Sequence, residues 1–455
     1  MKEFCKFLIN VVSLQKIRDF YMLKIYSSKQ SNRLEYVCKH LFQTILGIEY
    51  QIGSQPESPT SQYDIYYTEE NIGKGLHIVP HTLLFESDLK NQTISVGNWE
   101  GLTTLFVNHG EIPFDLFAAT FFLLSRYEEY CISEKDQHGR FLAEKSIAYQ
   151  EKFLSLPLID FWANKLKEKL LEHNPNLTFR TPHYRFIPTI DVDNVYAYRY
   201  HGVLQTVYCC LRDFCKGDKE KAYKRIKTVL RLEPDPYFNL EEVVKWHTDA
   251  GVTPYLFFHC GGFGKYDKRT LLPSLEYKRL RRDLAKKCHI GIHPSYAAAQ
   301  NGLRFKWELW KIKNGNPIFS TENNCRYHYL RFSLPDGYKQ LIQLGIKTDW
   351  SMCYSNDPGF RASTSFPFYF FDLTTNQSTD LLLYPTAVMD KTLKSNLHLS
   401  ITESEEYIVK MAQNVKAVNG TFITLFHNQH FTDNLGWEGW KVGYKNILKR
   451  VRATL

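Results

Sequence analysis

Seven residues able to do acid–base or metal chemistry stand at or near the ends of apolar segments. Asp191 and Asp193 close "RFIPTIDVD" (185–193), His259 closes "VTPYLFFH", and His293 closes "HIGIH". His328 lies in "CRYHYLRF" (325–332), Asp349 in "IKTDWSM" (346–352), and His427 near the end of "TFITLFHN" (421–428). Two residues apart on an extended chain, the carboxylates of Asp191 and Asp193 point the same way. Brought that close they repel, and one must hold its proton unless a cation intervenes. Imidazole with carboxylate suits Zn²⁺ and related divalent ions. Such an ion lowers the pKa of a water to about 7 and polarises a carbonyl oxygen. A lone D-x-D is common in turns and on surfaces; the succession of polar strand ends is what points to one shared site.

The elements that must position these residues alternate between apolar strand and helix after residue 180. Strands are expected at 185–193, 252–260, 289–295, 346–352, 380–388 and 421–428. Helices are expected at 203–230, 241–251, 277–288, 335–345 and 402–418, with a terminal helix in 436–455 packing Trp437 and Trp440. Alternation of this length implies an α/β fold with a mostly parallel sheet, open or closed into a barrel, whose carboxyl strand ends converge on one face. Before it, residues 22–180 read as a smaller α/β or α+β domain. This has strands in 22–28, 63–68, 75–86 and 93–99 and one buried helix over 114–131. The polar, proline-bearing stretch 170–185 marks the boundary, giving a second domain over 181–455. Residues 1–21 read as an N-terminal extension. The loop carrying Asp136, His138, Gly139 and Arg140 reads either as a small site or as an ion network at a helix end.

Composition bounds the rest. The chain has 455 residues, 44% hydrophobic, 15% aromatic and 23% charged, which excludes a largely disordered protein. The net charge of +9 is mild. Its one local concentration, "KGDKEKAYKRIKTVLR" (216–231), reads as a basic helix face that is either merely solvated or turned to an anionic partner. No nucleic-acid module is evident. Ten cysteines form no C-x-x-C pair and no secretory signal precedes them, so reduced thiols in the cytoplasm are expected. The longest apolar stretch, Phe117 to Leu124, is too short to span a bilayer.

"TIDVD" (189–193) resembles the opening motif, usually T-F-D-D, of the polysaccharide deacetylase family (carbohydrate esterase family four). "VTPYLFF" resembles its next strand and "HIGIHPS" its histidine motif, usually H-[ST]-x-x-H. "CRYHYLRF", "KTDW" and "ITLFHN" stand where that family has its arginine, aspartate–tryptophan and last-histidine motifs. The order matches over about 185–430, with an insertion after Asp193. The resemblance implies a distorted (β/α) barrel that removes acetyl groups from N- or O-acetylated sugars with a divalent metal ion, Zn²⁺ foremost and Co²⁺ or Ni²⁺ otherwise. It implies Asp191 as general base, Asp193 and His293 as metal ligands, and Arg326 orienting Asp191. His427 would be the general acid, held charged by Asp349, and Trp350 an apolar wall for substrate. The family's second histidine falls here at Ala297, so His328, His289 or His259 must supply the third ligand; His328 is preferred, with His259 otherwise beside the substrate. The substrate expected is an acetylated glycan or a lipid- or nucleotide-linked precursor, with peripheral membrane contact through 216–231. Two other readings stay open: a metal-independent hydrolase of another C–N bond, and a non-catalytic glycan-binding protein on a decayed barrel.

Overall fold

The computed structural model describes residues 22–54, 62–262, 264–267, 274–313, 323–433 and 436–453. The segment 1–21, read as an extension, lies outside them. The chain is mixed α/β with two largely parallel sheets and one hairpin. The first sheet runs β2-β1-β3-β4, built from β1 (Leu23–Ser27), β2 (Tyr50–Gly53), β3 (Ile65–Tyr67) and β4 (Leu76–Ile78), all parallel. The hairpin pairs β5 (Val96–Trp99) with β6 (Leu102–Leu105).

The second sheet has nine strands. They are β7 (Arg185–Val192), β8 (Tyr255–His259), β9 (His289–His293), β10 (Asn324–Cys325), β11 (Thr348–Asp349), β12 (Phe368–Asp372), β13 (Gln377–Leu383), β14 (Val388–Met389) and β15 (Thr421–His427). Their order is β12-β13-β11-β10-β9-β8-β7-β15-β14, parallel except for β12 against β13. Strand β7 is buried along nearly its whole length, as a strand covered on both faces requires. The pairings of the described residues form an open order, with no ladder from β12 to β14.

Four local expectations need correction, the first being the strand over 380–388, which is split: β13 ends at Leu383 before Pro385, and β14 joins the far side of the sheet. The segment 75–86 is not one strand: Pro80 lacks the N–H a ladder needs, so β4 stops and Thr82–Phe85 forms a 3₁₀ turn. The helix expected over 114–131 is two, Leu116–Leu124 and Tyr127–Cys131, broken where Arg126 adopts a left-handed φ of 57°. That turn aims its guanidinium at Glu128 (2.7 Å), Glu129 (2.8 Å) and the Tyr354 hydroxyl (3.0 Å). Glu129 also holds Arg361 (2.6 Å), so a buried ion cluster joins the two sequence regions. Finally, 203–230 is two helices, α1 (Val203–Cys215) and α2 (Lys219–Val229), turned at Gly217 with φ 81°. A helix α3 (Gly302–Lys313) lies where no element was expected. Among the described residues no helix is long and apolar enough to cross a membrane.

Candidate functional site

Alternation along each strand puts Ile187, Thr189 and Asp191 on one face, joined by Phe257 and His259, by Gly291 and His293, and by Ile423 and His427. The register sets Asp191 beside His427 and His259 beside His293 at the carboxyl ends. Beneath them Ile187, Phe257, Trp350 and Ile423 form an apolar floor with Tyr255 and Tyr384. Gly291 leaves room for it, since a Cβ there would lie 2.4 Å from the Phe257 ring. On this floor rests Arg326, fully buried, 4.5 Å from the Phe257 ring centroid. It donates to Thr189 Oγ1 (2.6 Å), Asp191 Oδ1 (3.0 Å), Thr386 Oγ1 (3.1 Å) and the Trp350 carbonyl (2.9 Å). Arg326 and Asp191 therefore meet as expected. Trp350 does not form a substrate wall: it is fully buried in the floor, stacked on Tyr384 at 4.0 Å.

Three expected ligands converge. His293 Nε2 lies 3.4 Å from Asp193 Oδ1 and 3.6 Å from Asp191 Oδ2, and His328 Nε2 lies 3.7 Å from Asp193 Oδ1. Donor atoms of Asp193, His293 and His328 all lie within 4.8 Å of one another. Metal–ligand bonds of about 2.0–2.1 Å at tetrahedral angles imply edges near 3.3 Å, close to these separations. Asp193 Oδ1, buried, has no hydrogen-bond partner among the described residues. The tautomers also fit: His293 Nδ1 is 2.6 Å from the Arg326 carbonyl, which can only accept, so Nδ1 carries the proton and Nε2 presents its lone pair. His328 Nδ1 faces Asp267 Oδ1 at 3.2 Å in the same sense. The donor set fits a divalent ion.

His328 reaches the site because "CRYHYLRF" does not continue as a strand. It leaves β10 at Cys325 and turns through Tyr329 and Leu330, both left-handed (φ 61° and 51°). His289, by contrast, stacks on Tyr255 at the far end of β9. His259 lines the cavity, 3.6 Å from Asp267, and neither of its ring nitrogens has a hydrogen-bond partner among the described residues.

Burial and charge set the protonation states. Burial alone would raise Asp193, but the neighbouring imidazoles of His293, His328 and His427 draw it well below the usual carboxylate range. Burial would lower His293, but Asp191 and Asp193 raise it. His259 is driven down to about 3, first by burial and then by its neighbours His328 and His293.

Asp349 does not hold His427. Its oxygens accept from the Ser351 N–H (2.9 Å) and hydroxyl (2.7 Å), because it faces away from Trp350 across β11, and burial raises it to about 6. The partner of His427 is Asp390, whose Oδ1 is 2.8 Å from Nδ1. Against the pull of burial, that carboxylate pushes His427 up to about 9. Asp390 also faces His430 Nδ1 at 2.7 Å, and His430 stacks on Trp437 at 3.5 Å. Sequence reading missed Asp390, His430 and Asp267. The first two had a signal: Asp390 ends the apolar "TAVMD", and His430 stands three residues beyond His427.

Asp191, Asp193, His259, His293, His328, His427 and His430 line a cavity of about 320 Å³, a volume suited to a small ligand. One wall comes from the earlier region: Gln137, His138 and Arg140 line it together with Tyr266 and Tyr329. Both expectations for that loop meet here. Asp136 and Arg140 pair at 2.6 Å, and Arg140 donates to the Tyr329 carbonyl (2.8 Å), while His138 sits 3.0 Å from the Tyr296 hydroxyl.

Residues 23–175 match the model of a family of unknown function, DUF7033. No curated protein matches the sequence. Among solved structures, one from Mycobacterium smegmatis, assigned as a polysaccharide deacetylase, is similar at 12% identity and TM-score 0.37; the match covers 60% of this chain and 88% of that one. The 4-α-glucanotransferase of Thermococcus litoralis is similar at 14% identity and TM-score 0.35, covering 60% of this chain and 38% of its own.

Proposed function

We propose that this chain is a metal-dependent hydrolase that removes acetyl groups from N- or O-acetylated sugars. One observation carries the reading: the Asp193–His293–His328 donor set stands between a carboxylate fixed by a buried arginine and an imidazole fixed by a buried carboxylate. A divalent ion there, Zn²⁺ by the chemistry of the donors, would act as a Lewis acid and bring a water to a pKa near 7. Asp191 takes the proton from the attacking water; Arg326, donating to its Oδ1, keeps the carboxylate aimed. His427, charged at neutral pH, gives a proton to the departing amine or alkoxide, and Asp390 holds it in that form. The polar wall of Gln137, His138 and Arg140 faces the sugar. The inward layers of Trp350, Phe257, Arg326 and Asp191 support a barrel-like architecture for residues 181–455, with 22–180 as a separate unit that closes one side.

The test is acetate release from N-acetylated chito-oligosaccharides and from an O-acetylated xylan by the Zn²⁺-loaded full chain. Asp191→Asn and His427→Ala should each lower turnover by roughly 10²–10⁴-fold, and chelation should abolish it. Turnover that survives chelation would return the metal-independent reading, and no turnover with binding retained would return the glycan-binding one.

A further inference from the structure

Soluble chains rarely leave many large apolar side chains together in water, yet the helical hairpin inserted after Asp193 does. On α1, Val203 (79% exposed), Leu204 (88%), Val207, Tyr208 and Leu211 are all open to solvent. Their spacing of i, i+1, i+4, i+5 and i+8 gathers them into one stripe. The opposite face, with Cys210 and Asp213, is the one buried. On α2 and its C-cap, Tyr223, Ile226 and Leu230 form a second exposed row. The hairpin is a built unit: Asp213 pairs with Arg225 at 2.8 Å, and Arg225 lies 4.7 Å from the Tyr198 ring centroid.

Charge says what covers the stripe. Residues 203–232 hold eight basic and three acidic side chains, a net +5. Among the described residues no carboxylate pairs with Lys216, Lys219, Lys221, Lys224 or Arg231. Aliphatic and tyrosine side chains beside unpaired lysines match the apolar boundary and anionic headgroups of a bilayer. A phosphodiester backbone would leave the Leu204 stripe without a partner. A second cavity of about 830 Å³ runs under the hairpin and shares Asn194 with the cavity that Asp193 lines.

We propose that the 203–232 hairpin docks the protein on an anionic lipid bilayer, laying its apolar stripe into the interface with the cavity that Asp193 lines alongside. This stands independently of the hydrolase reading and is tested without turnover. The full chain is sedimented with vesicles of phosphatidylcholine alone or with roughly 30 mol % phosphatidylglycerol. The expected result is binding to the anionic vesicles only, weakened by salt. Leu204→Asp combined with Leu211→Asp should weaken it by at least about tenfold, and Lys216→Glu with Lys219→Glu by roughly fivefold per lysine. The replaced side chains are exposed, and an unchanged thermal unfolding curve confirms that each variant is folded. Equal binding to both vesicles, or to neither, overturns the proposal. So does a dimer seen by light scattering that the Leu204→Asp pair dissolves, or binding of a duplex oligonucleotide in place of vesicles.

Discussion

The Oδ1 of Asp390 lies 2.8 Å from Nδ1 of His427, and the other oxygen of the same carboxylate accepts the His427 backbone N–H at 2.7 Å. The residue is thus fixed twice to one buried anion, once through its ring and once through its backbone. Nδ1 must carry a proton to donate there, which leaves Nε2 as the nitrogen that a ligand can meet.

This pairing predicts a pH dependence. His427 titrates at about 9 in the folded chain, above its ordinary 6.5. Its charged form therefore stabilises the fold fully below about 6.5, and that contribution fades as pH rises through about 9. Asp390→Asn should return the imidazole to 6.5 or lower, read by NMR titration of the ring, and should move the alkaline limb of any rate profile to lower pH. An imidazole that still titrates near 9 in this variant would remove Asp390 as its cause.

Metal affinity should depend on a residue that does not touch the ion. Asp267 holds His328 by Nδ1 at 3.2 Å. Asp267→Asn should weaken Zn²⁺ binding by about 10–100-fold, measured by competition with a chromophoric chelator, whereas His293→Ala should lose stoichiometric metal.

Arg326 is expected to matter for the fold as well as for chemistry. Arg326→Met leaves Asp191 buried without its cation, and breaking such a pair costs about 3–5 kcal/mol. Urea denaturation should show the loss, and Asp191→Asn in the same chain should recover part of it.

Trp350 should behave as a core residue. Trp350→Ala removes the stack with Tyr384 and the contact with Tyr255, a change worth about 3–5 kcal/mol in denaturant unfolding. Any folded fraction should keep its substrate KM; a raised KM at unchanged stability would put the ring back beside the substrate.

What the sequence reveals follows from where physics is local. Asp191, Asp193, His259, His293 and His427 were legible because each interrupts an apolar run at a strand end, and parallel pairing then aligns the ends. Asp349 and Trp350 misled because adjacent strand residues face opposite ways and the sequence does not say which face is interior. His328 was legible from its place two residues beyond Arg326, but the turn that brings it in, with Tyr329 and Leu330 left-handed, is announced by no pattern. Asp267 lies in a loop without periodicity, and His138 meets Tyr296 across 158 positions of sequence. Asp390 was within reach of the strand-end rule, but β14 is only two residues long and its run was ended too early.

The wall supplied by Gln137, His138 and Arg140 ties the two stretches of chain into one inheritance. A shortened gene product beginning near residue 181 would carry every proposed ligand and proton carrier, yet its histidines would stand in an open trough flooded by bulk solvent. Drift in what the trough accepts must then be matched on both sides of the seam, so selectivity would be retuned from a loop far upstream of the proposed ligands.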